Sequence, residues 1–316
     1  MNKIAIVGTG IIGLSHIEAL KQIEGYELAC LCDINEAAVK PLAEENNVPY
    51  VLDYKEIPAK FDIDAVILNL PHSLHCESTV FFLDNGINVL IEKPMANTTE
   101  ECEIMIEAAK RSGKKLAVAH IQRYFNAIAK MKEIFDSGVL GKFCMYTGCR
   151  SINYFNDSRP RWFLNKKLSG GGIFMNFGAH QLDKIQYITG QRVTEVFSNY
   201  GNYKNDFDVE GHAQLFGKLT DGASFSLTFS GYTPCEYNDI FYFTGGCMKA
   251  VGSAYIDVNY GTGWQRIEGI TTDKKEMVRE LIEFKKFLLG EEANIPDAEF
   301  GRDVIAAIEK TYNSSI

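Results

Sequence analysis

Residues 3–23, KIAIVGTGIIGLSHIEALKQI, set Gly8, Gly10 and Gly13 between a short apolar run and a segment of helical period. Strand, glycine turn and helix in that order restrict the chain more than any other stretch. A glycine at the first position permits a tight turn, the second lets backbone approach a pyrophosphate, and the third allows close helix-on-strand packing. The helix start, at Ile11 and Ile12, adds backbone N–H groups and the positive end of a dipole. The pattern therefore predicts a dinucleotide site, and the acid it requires about 20 residues on is present as Asp33, closing the run LACLCD. A carboxylate there accepts hydrogen bonds from ribose hydroxyls and repels a 2′-phosphate. The next residue is Ile34, not an arginine, so NAD is expected in preference to NADP. Asp33 as a cap for the helix INEAAVKPLAEENN is the competing reading.

Strand-like and helical segments keep alternating through DAVILNL, HCESTVFFLDNG, INVLIEK, TEECEIMIEAAKRSG and KKLAVAH. Such alternation predicts a parallel sheet covered by helices. Ligands of such sheets bind at the loops leaving the carboxyl ends of the strands. Those loops carry Pro71, His72 and His75, then Glu92, Lys93 and Pro94, then His120 to Arg123. After SGVLGK the character changes to aromatic and β-branched runs, several of period two, separated by glycine or aspartate turns. These predict antiparallel strands with one face packed on helices, with a hairpin turn at Thr220–Gly222. Two helical segments, KKEMVRELIEFKKFLLG and FGRDVIAAIEKTYNSS, close the chain. The expected division is residues 1–121 and 122–316.

A formal charge of −9 argues against nucleic acid, whose binders show a basic patch or stripe. No apolar run reaches the length of a membrane span, and the first residues lack the features of a signal peptide, so a cytoplasmic location is expected. Eight cysteines contain no CxxC pair, which leaves zinc and thioredoxin-like chemistry unsupported. Cys30 and Cys32 read as small buried hydrophobes. Histidines and acids form no compact ligand set, so no metal is expected.

The segment Leu168–Lys184, LSGGGIFMNFGAHQLDK, runs three glycines into a helix carrying Asn176, His180 and Asp183. At about 100° per residue these three fall on one face. Gly170, Gly171 and Gly172 are expected to take positive φ or to let backbone lie close to a ligand. Trp162, in the preceding RPRWFLNKK, either borders that site or fills an interface.

GTGIIG, PHSLH, EKPMANTTEE and SGGGIFMNFGAHQLD stand in the order and spacing of the Gfo/Idh/MocA oxidoreductase family, which the chain resembles from end to end. The resemblance implies an α/β protein, with an N-terminal Rossmann domain and a C-terminal α+β domain built on an open, mainly antiparallel sheet. It implies hydride transfer between a nicotinamide and a hydroxyl-bearing carbon of a sugar, inositol or related polyol, and sheets that pair subunits into a homodimer or homotetramer. By position it makes Lys93 and His180 the catalytic pair and sets the loop of His75 beside the nicotinamide ribose. Asn176 stands where inositol dehydrogenase-like members have aspartate. An imidazole with a pKa near neutrality suits removal of a hydroxyl proton, and an ammonium stabilises the resulting alkoxide. Arg123, Asn176 and Asp183 are the substrate-binding candidates. Gly8, Gly10, Ile11, Ile12, Gly13, Asp33, Ile34, Pro71, His75, Glu92 and Lys93 are the cofactor-binding ones. His16, His72 and His212 read as packing or surface residues. Two other functions fit the resemblance: a catalytically silent regulator that binds NAD and sugar, and a glycosidase that holds NAD for a transient oxidation.

Overall fold

The computed structural model describes residues 2–204, 206–252, 254–270 and 272–314. The chain divides into two compact units, one formed by residues up to His120 together with Lys275–Arg302, the other by Ile121–Lys274 and Asp303 onward.

In the first unit, strands β1 (Asn2–Val7), β2 (Tyr26–Cys32), β3 (Tyr50–Val51), β4 (Ala65–Leu68), β5 (Asn88–Glu92) and β6 (Leu116–Ala119) form a sheet in the order β3-β2-β1-β4-β5-β6. Every pairing is parallel. AVIL of β4 and LAVA of β6 are buried along their whole length, as strands covered on both faces require. The order is that of a dinucleotide-binding doubly wound sheet. Cys30 and Cys32 are buried in β2, and burial pushes both thiols up to about 12.

The expected boundary after residue 121 misses one segment. Helix Glu276–Leu289 puts Leu281 and Phe284 into the core cluster of Ile17, Leu20 and Tyr26, and the Tyr26 hydroxyl donates to the Leu281 carbonyl at 2.9 Å. Val118 of β6 donates its N–H to the Pro296 carbonyl at 2.9 Å. The apolar stripe of this helix thus completes the first unit, although the sequence places it after the second.

The second unit holds an eight-stranded sheet: β7 (Phe143–Ser151), β8 (Val193–Gly201), β9 (His212–Leu219), β10 (Ser224–Ser230), β11 (Tyr237–Phe243), β12 (Gly246–Val251), β13 (Tyr255–Asn259) and β14 (Trp264–Arg266), ordered β14-β13-β12-β11-β7-β10-β9-β8. All pairings are antiparallel except β7 with β10. In β9 every second residue is buried, so one face packs and the other lies open. The β9–β10 hairpin turns at Gly222, whose φ of +85° needs glycine.

Candidate active site

The glycine turn of the first unit follows its expected division of labour. A Cβ on Gly8 would meet the Asn69 carbonyl oxygen at 2.4 Å, and one on Gly13 would meet the Gly8 carbonyl oxygen at 2.1 Å. A Cβ on Gly10 would meet nothing within 4 Å. Two glycines are therefore required by the fold itself, while the middle one keeps clear the space before the helix Ile11–Leu20. That helix has no acidic residue in its first turn and no side-chain cap at Gly10, so its N–H groups remain available to an anion. Asp33 fixes the turn from the end of β2. Its Oδ2 accepts from the Thr9 N–H at 2.8 Å and the Thr9 hydroxyl at 2.9 Å, and its Oδ1 accepts from the Asn35 N–H at 3.0 Å. The next helix, Glu36–Asn46, is capped at Asn35 without a side-chain bond, so Asp33 does not cap it. A carboxylate has about four acceptor sites; three are used, and one remains for a ribose hydroxyl. Ile34 is 91% exposed, a flat apolar surface beside that carboxylate. These residues fit a dinucleotide.

Lys93 follows β5 and is half-buried, joined to Pro94 by a cis peptide bond. Its placement comes from neighbours on both sides. The Glu92 carboxylate accepts from the Lys93 N–H at 3.2 Å and from His16 Nε2 at 3.2 Å. His16, fully buried, thereby ties the glycine-turn helix to the Lys93 segment. His75 departs from expectation: it is fully buried, with Nδ1 2.9 Å from the Pro94 carbonyl and Nε2 2.9 Å from the Leu70 carbonyl. Both ring nitrogens face backbone carbonyls, to one of which the neutral ring donates, so His75 is a strut between two loops. Burial lowers its pKa against the pull of those carbonyls. Its neighbour Pro71 is half-buried.

In the second unit, the helix that carries His180 starts irregularly. Phe174–Gly178 winds as a π-helix before Ala179–Thr189 continues as α, and such insertions occur frequently at functional sites. Asn176 and His180 are both mostly buried. The glycines before them serve a purpose other than the expected approach of a ligand. A Cβ on Gly172 would meet the Glu210 carbonyl oxygen at 2.1 Å, and one on Gly171 the Tyr312 hydroxyl at 2.2 Å; only Gly170 has positive φ, +76°. The glycines make room for Glu210. Its carboxylate accepts from the N–H groups of Gly172 at 2.7 Å, Phe174 at 2.9 Å and Met175 at 3.2 Å, and from the Tyr312 hydroxyl at 3.0 Å. A buried acid here satisfies amides that a helix start leaves open, while burial raises its pKa.

Asp183 also differs from expectation. It is fully buried; its Oδ1 accepts from Arg123 Nε at 2.8 Å and lies 2.6 Å from Arg123 Nη2 in an ion pair. Two of the three residues expected to bind substrate pair with each other, locking the 3₁₀ turn Ile121–Tyr124 to the helix of His180. One step further along that helix lies a buried set that no motif announced. Lys184 Nζ donates to Asp239 Oδ2 at 2.5 Å and to Gln181 Oε1 at 3.0 Å, and the Tyr146 hydroxyl donates to the Asp239 carboxylate. Burial works against the Lys184 charge, but the Asp239 carboxylate outweighs it and the pKa is raised. Tyr146, Lys184 and Asp239 come from β7, the helix and β11, so sequence distance hides them; an unpaired lysine in an apolar helix face was the available signal. Trp162 stacks on Phe163 at 3.7 Å between ring centres, and His212 on Tyr203 at 4.8 Å. Among the described residues no group of three or more His, Cys, Asp or Glu is placed to hold a metal ion, and no helix is long and apolar enough to cross a membrane.

Sheet order, glycine turn and acid define the first unit as a dinucleotide-binding domain, and the description "Oxidoreductase family, NAD-binding Rossmann fold" matches residues 2–120. The GFO/IDH/MocA C-terminal domain matches residues 128–253. The chain belongs to the Gfo/Idh/MocA oxidoreductase family. It is 30% identical to the D-glucoside 3-dehydrogenase of Escherichia coli, over 75% of this chain and 67% of that protein. It is 27% identical to the 2,7-anhydro-N-acetylneuraminate hydratase of Mediterraneibacter gnavus, over 75% of this chain and 62% of the other. The chain spans less than two thirds of the length of the first curated relatives it matches, 44% in one case. The fold is shared with aldose-aldose oxidoreductase from Caulobacter crescentus, solved with glycerol, at a TM-score of 0.91 and 23% identity, covering 99% of this chain and 97% of that one.

Proposed function

We propose that the protein transfers hydride between NAD and a secondary alcohol, or the matching ketone, of a small sugar, inositol or related polyol. The observation that carries this reading is the pairing, within the first unit, of an unobstructed Gly10 turn with a Lys93 backbone held from both sides by Glu92 and His75. Bound NAD supplies the hydride acceptor. Lys93 donates a hydrogen bond to the reacting oxygen and stabilises the charge that builds there. His180, on a helix whose start is fixed by Glu210, takes the hydroxyl proton. Asn176 orients a neighbouring hydroxyl, and its amide supplies no charge to the imidazole. Arg123 and Asp183 hold the frame and leave substrate contact to others. Asp33 favours NAD over NADP by repelling a 2′-phosphate.

The glucoside dehydrogenase relative supports the substrate class. The hydratase relative favours a second reading, in which NAD is retained and no net oxidation occurs. The open sheet face, where Phe197 and Phe216 are register partners 55% and 50% exposed, supports association into a dimer or tetramer.

The test is NADH absorbance with inositols, hexoses and their keto forms. His180→Ala and Lys93→Met are expected to lower kcat by about 10²-fold or more while NAD affinity stays within about twofold, since neither side chain is needed to hold the dinucleotide backbone. Unchanged kcat in either variant overturns the assignment, and sugar cleavage without NADH selects the second reading.

A further inference from the structure

Two cations lie between the helix of His180 and the sheet of the second unit, Lys184 on the helix and Arg150 on β7, and they are treated differently. Lys184 has Asp239. Arg150, near the end of β7, has no acidic partner and no hydrogen bond from its side chain to any described residue. Its guanidinium carbon lies 3.9 Å from the centre of the Tyr237 ring, its register partner on β11, and 4.9 Å from that of Phe177. Its Nε is out of water without a partner. Phe177 is three residues before His180 and adjacent to Asn176, with its ring 6.3 Å from the His180 ring.

Two aromatic rings at these distances from the guanidinium carbon hold it by cation–π contact. What remains is the edge, which carries five N–H donors in a fork that matches a carboxylate or phosphate. A buried N–H left without a partner, as Arg150 Nε is, costs stability. The cost is offset where a ligand brings the matching anion. A neutral polyol offers such a fork only single hydroxyls, whereas a carboxylate takes two N–H groups at once.

We propose that Arg150 is a substrate-binding residue and that the substrate is an acid, a sugar or polyol bearing a carboxylate that pairs with its guanidinium edge while a hydroxyl-bearing carbon is presented to His180. This rests on the oxidoreductase reading above, and it narrows the substrate class from polyols in general to acidic ones. Nothing in the glycine turn or in Lys93 requires this selectivity; it comes from the second unit alone.

The full-length protein with saturating NAD is offered matched pairs that differ by one carboxylate: D-glucuronate with D-glucose, D-galacturonate with D-galactose, and D-gluconate with D-sorbitol. Calorimetry reads binding and NADH absorbance reads turnover. At least one acid is expected to bind about 10- to 100-fold more tightly than its neutral partner. Arg150→Met is expected to erase that preference, weakening the acid about 10- to 100-fold more than its neutral partner. Arg150→Lys, which keeps the charge but loses the fork and the stacking, is expected to lose most of it, and keeps the test decisive if the Met variant fails to fold. Equal binding within every pair, tighter binding of the neutral member, no acid bound at all, or an equal loss for both members in the variants each overturns the proposal. Acid-selective binding without NADH keeps Arg150 and removes the dehydrogenase reading. Turnover confined to neutral members does the reverse.

Discussion

Gly8, Gly10 and Gly13 hold the first unit's site by backbone geometry, with one carboxylate, Asp33, bonded to the turn. The second unit holds His180 by buried charge: Glu210 at the helix start, Asp183 with Arg123 beside it, and Asp239 with Lys184 beyond it. A site made of backbone tolerates few residue types and leaves a dense local signature. One made of charges assembled from separate strands leaves almost none, and its parts fail together when one is removed.

The largest effect that would break this contrast is Asp239→Asn. It leaves the Lys184 ammonium buried without its counter-charge, which costs about 3–5 kcal/mol. Urea unfolding should show that loss; a change below about 1 kcal/mol would mean that the second unit does not depend on its buried ions. Substitutions in the turn sharpen the other side. Gly13→Ala forces a Cβ against the Gly8 carbonyl oxygen and should lower both the unfolding midpoint and NAD uptake. Gly10→Ala meets nothing, so its stability should stay within about 0.5 kcal/mol while its Kd for NAD, measured by fluorescence titration, rises about tenfold or more. Parallel behaviour of the two variants would contradict their different roles. The smallest effect is in alkali. The Lys184 pKa lies above its ordinary 10.5, so its contribution is complete below pH 10.5 and is lost as the pH climbs through the raised value. Thermal melts across that window should fall more steeply for the native protein than for Lys184→Met.

The same contrast explains what the sequence disclosed. GTGIIG, EKP and the HQLD helix were legible because each motif sits on consecutive residues, and the parallel character of the first sheet followed from alternation, while its strand order did not. Glu210 was not, because it reaches its helix from 36 residues downstream of Phe174, and nothing in DVEGHAQ marks it as a cap. The glycines of SGGG pointed to close approach correctly, but the approaching group is protein. Asp183 shared a face with His180 on a helical wheel, which records direction around an axis and not depth; depth turned it from a substrate contact into an ion-pair partner. His75 shows the same limit, since only the fold reveals that two carbonyls already occupy its ring.

The return of residues 275–302 to the first unit has a consequence for how the chain is made. A ribosome that has released residues 1–120 has delivered Ile17, Leu20 and Tyr26 but not Leu281 or Phe284, which cover them. The nucleotide-binding half therefore waits, incomplete, through the synthesis of some 150 intervening residues, and its final stability arrives only once residues 275–302 have followed them.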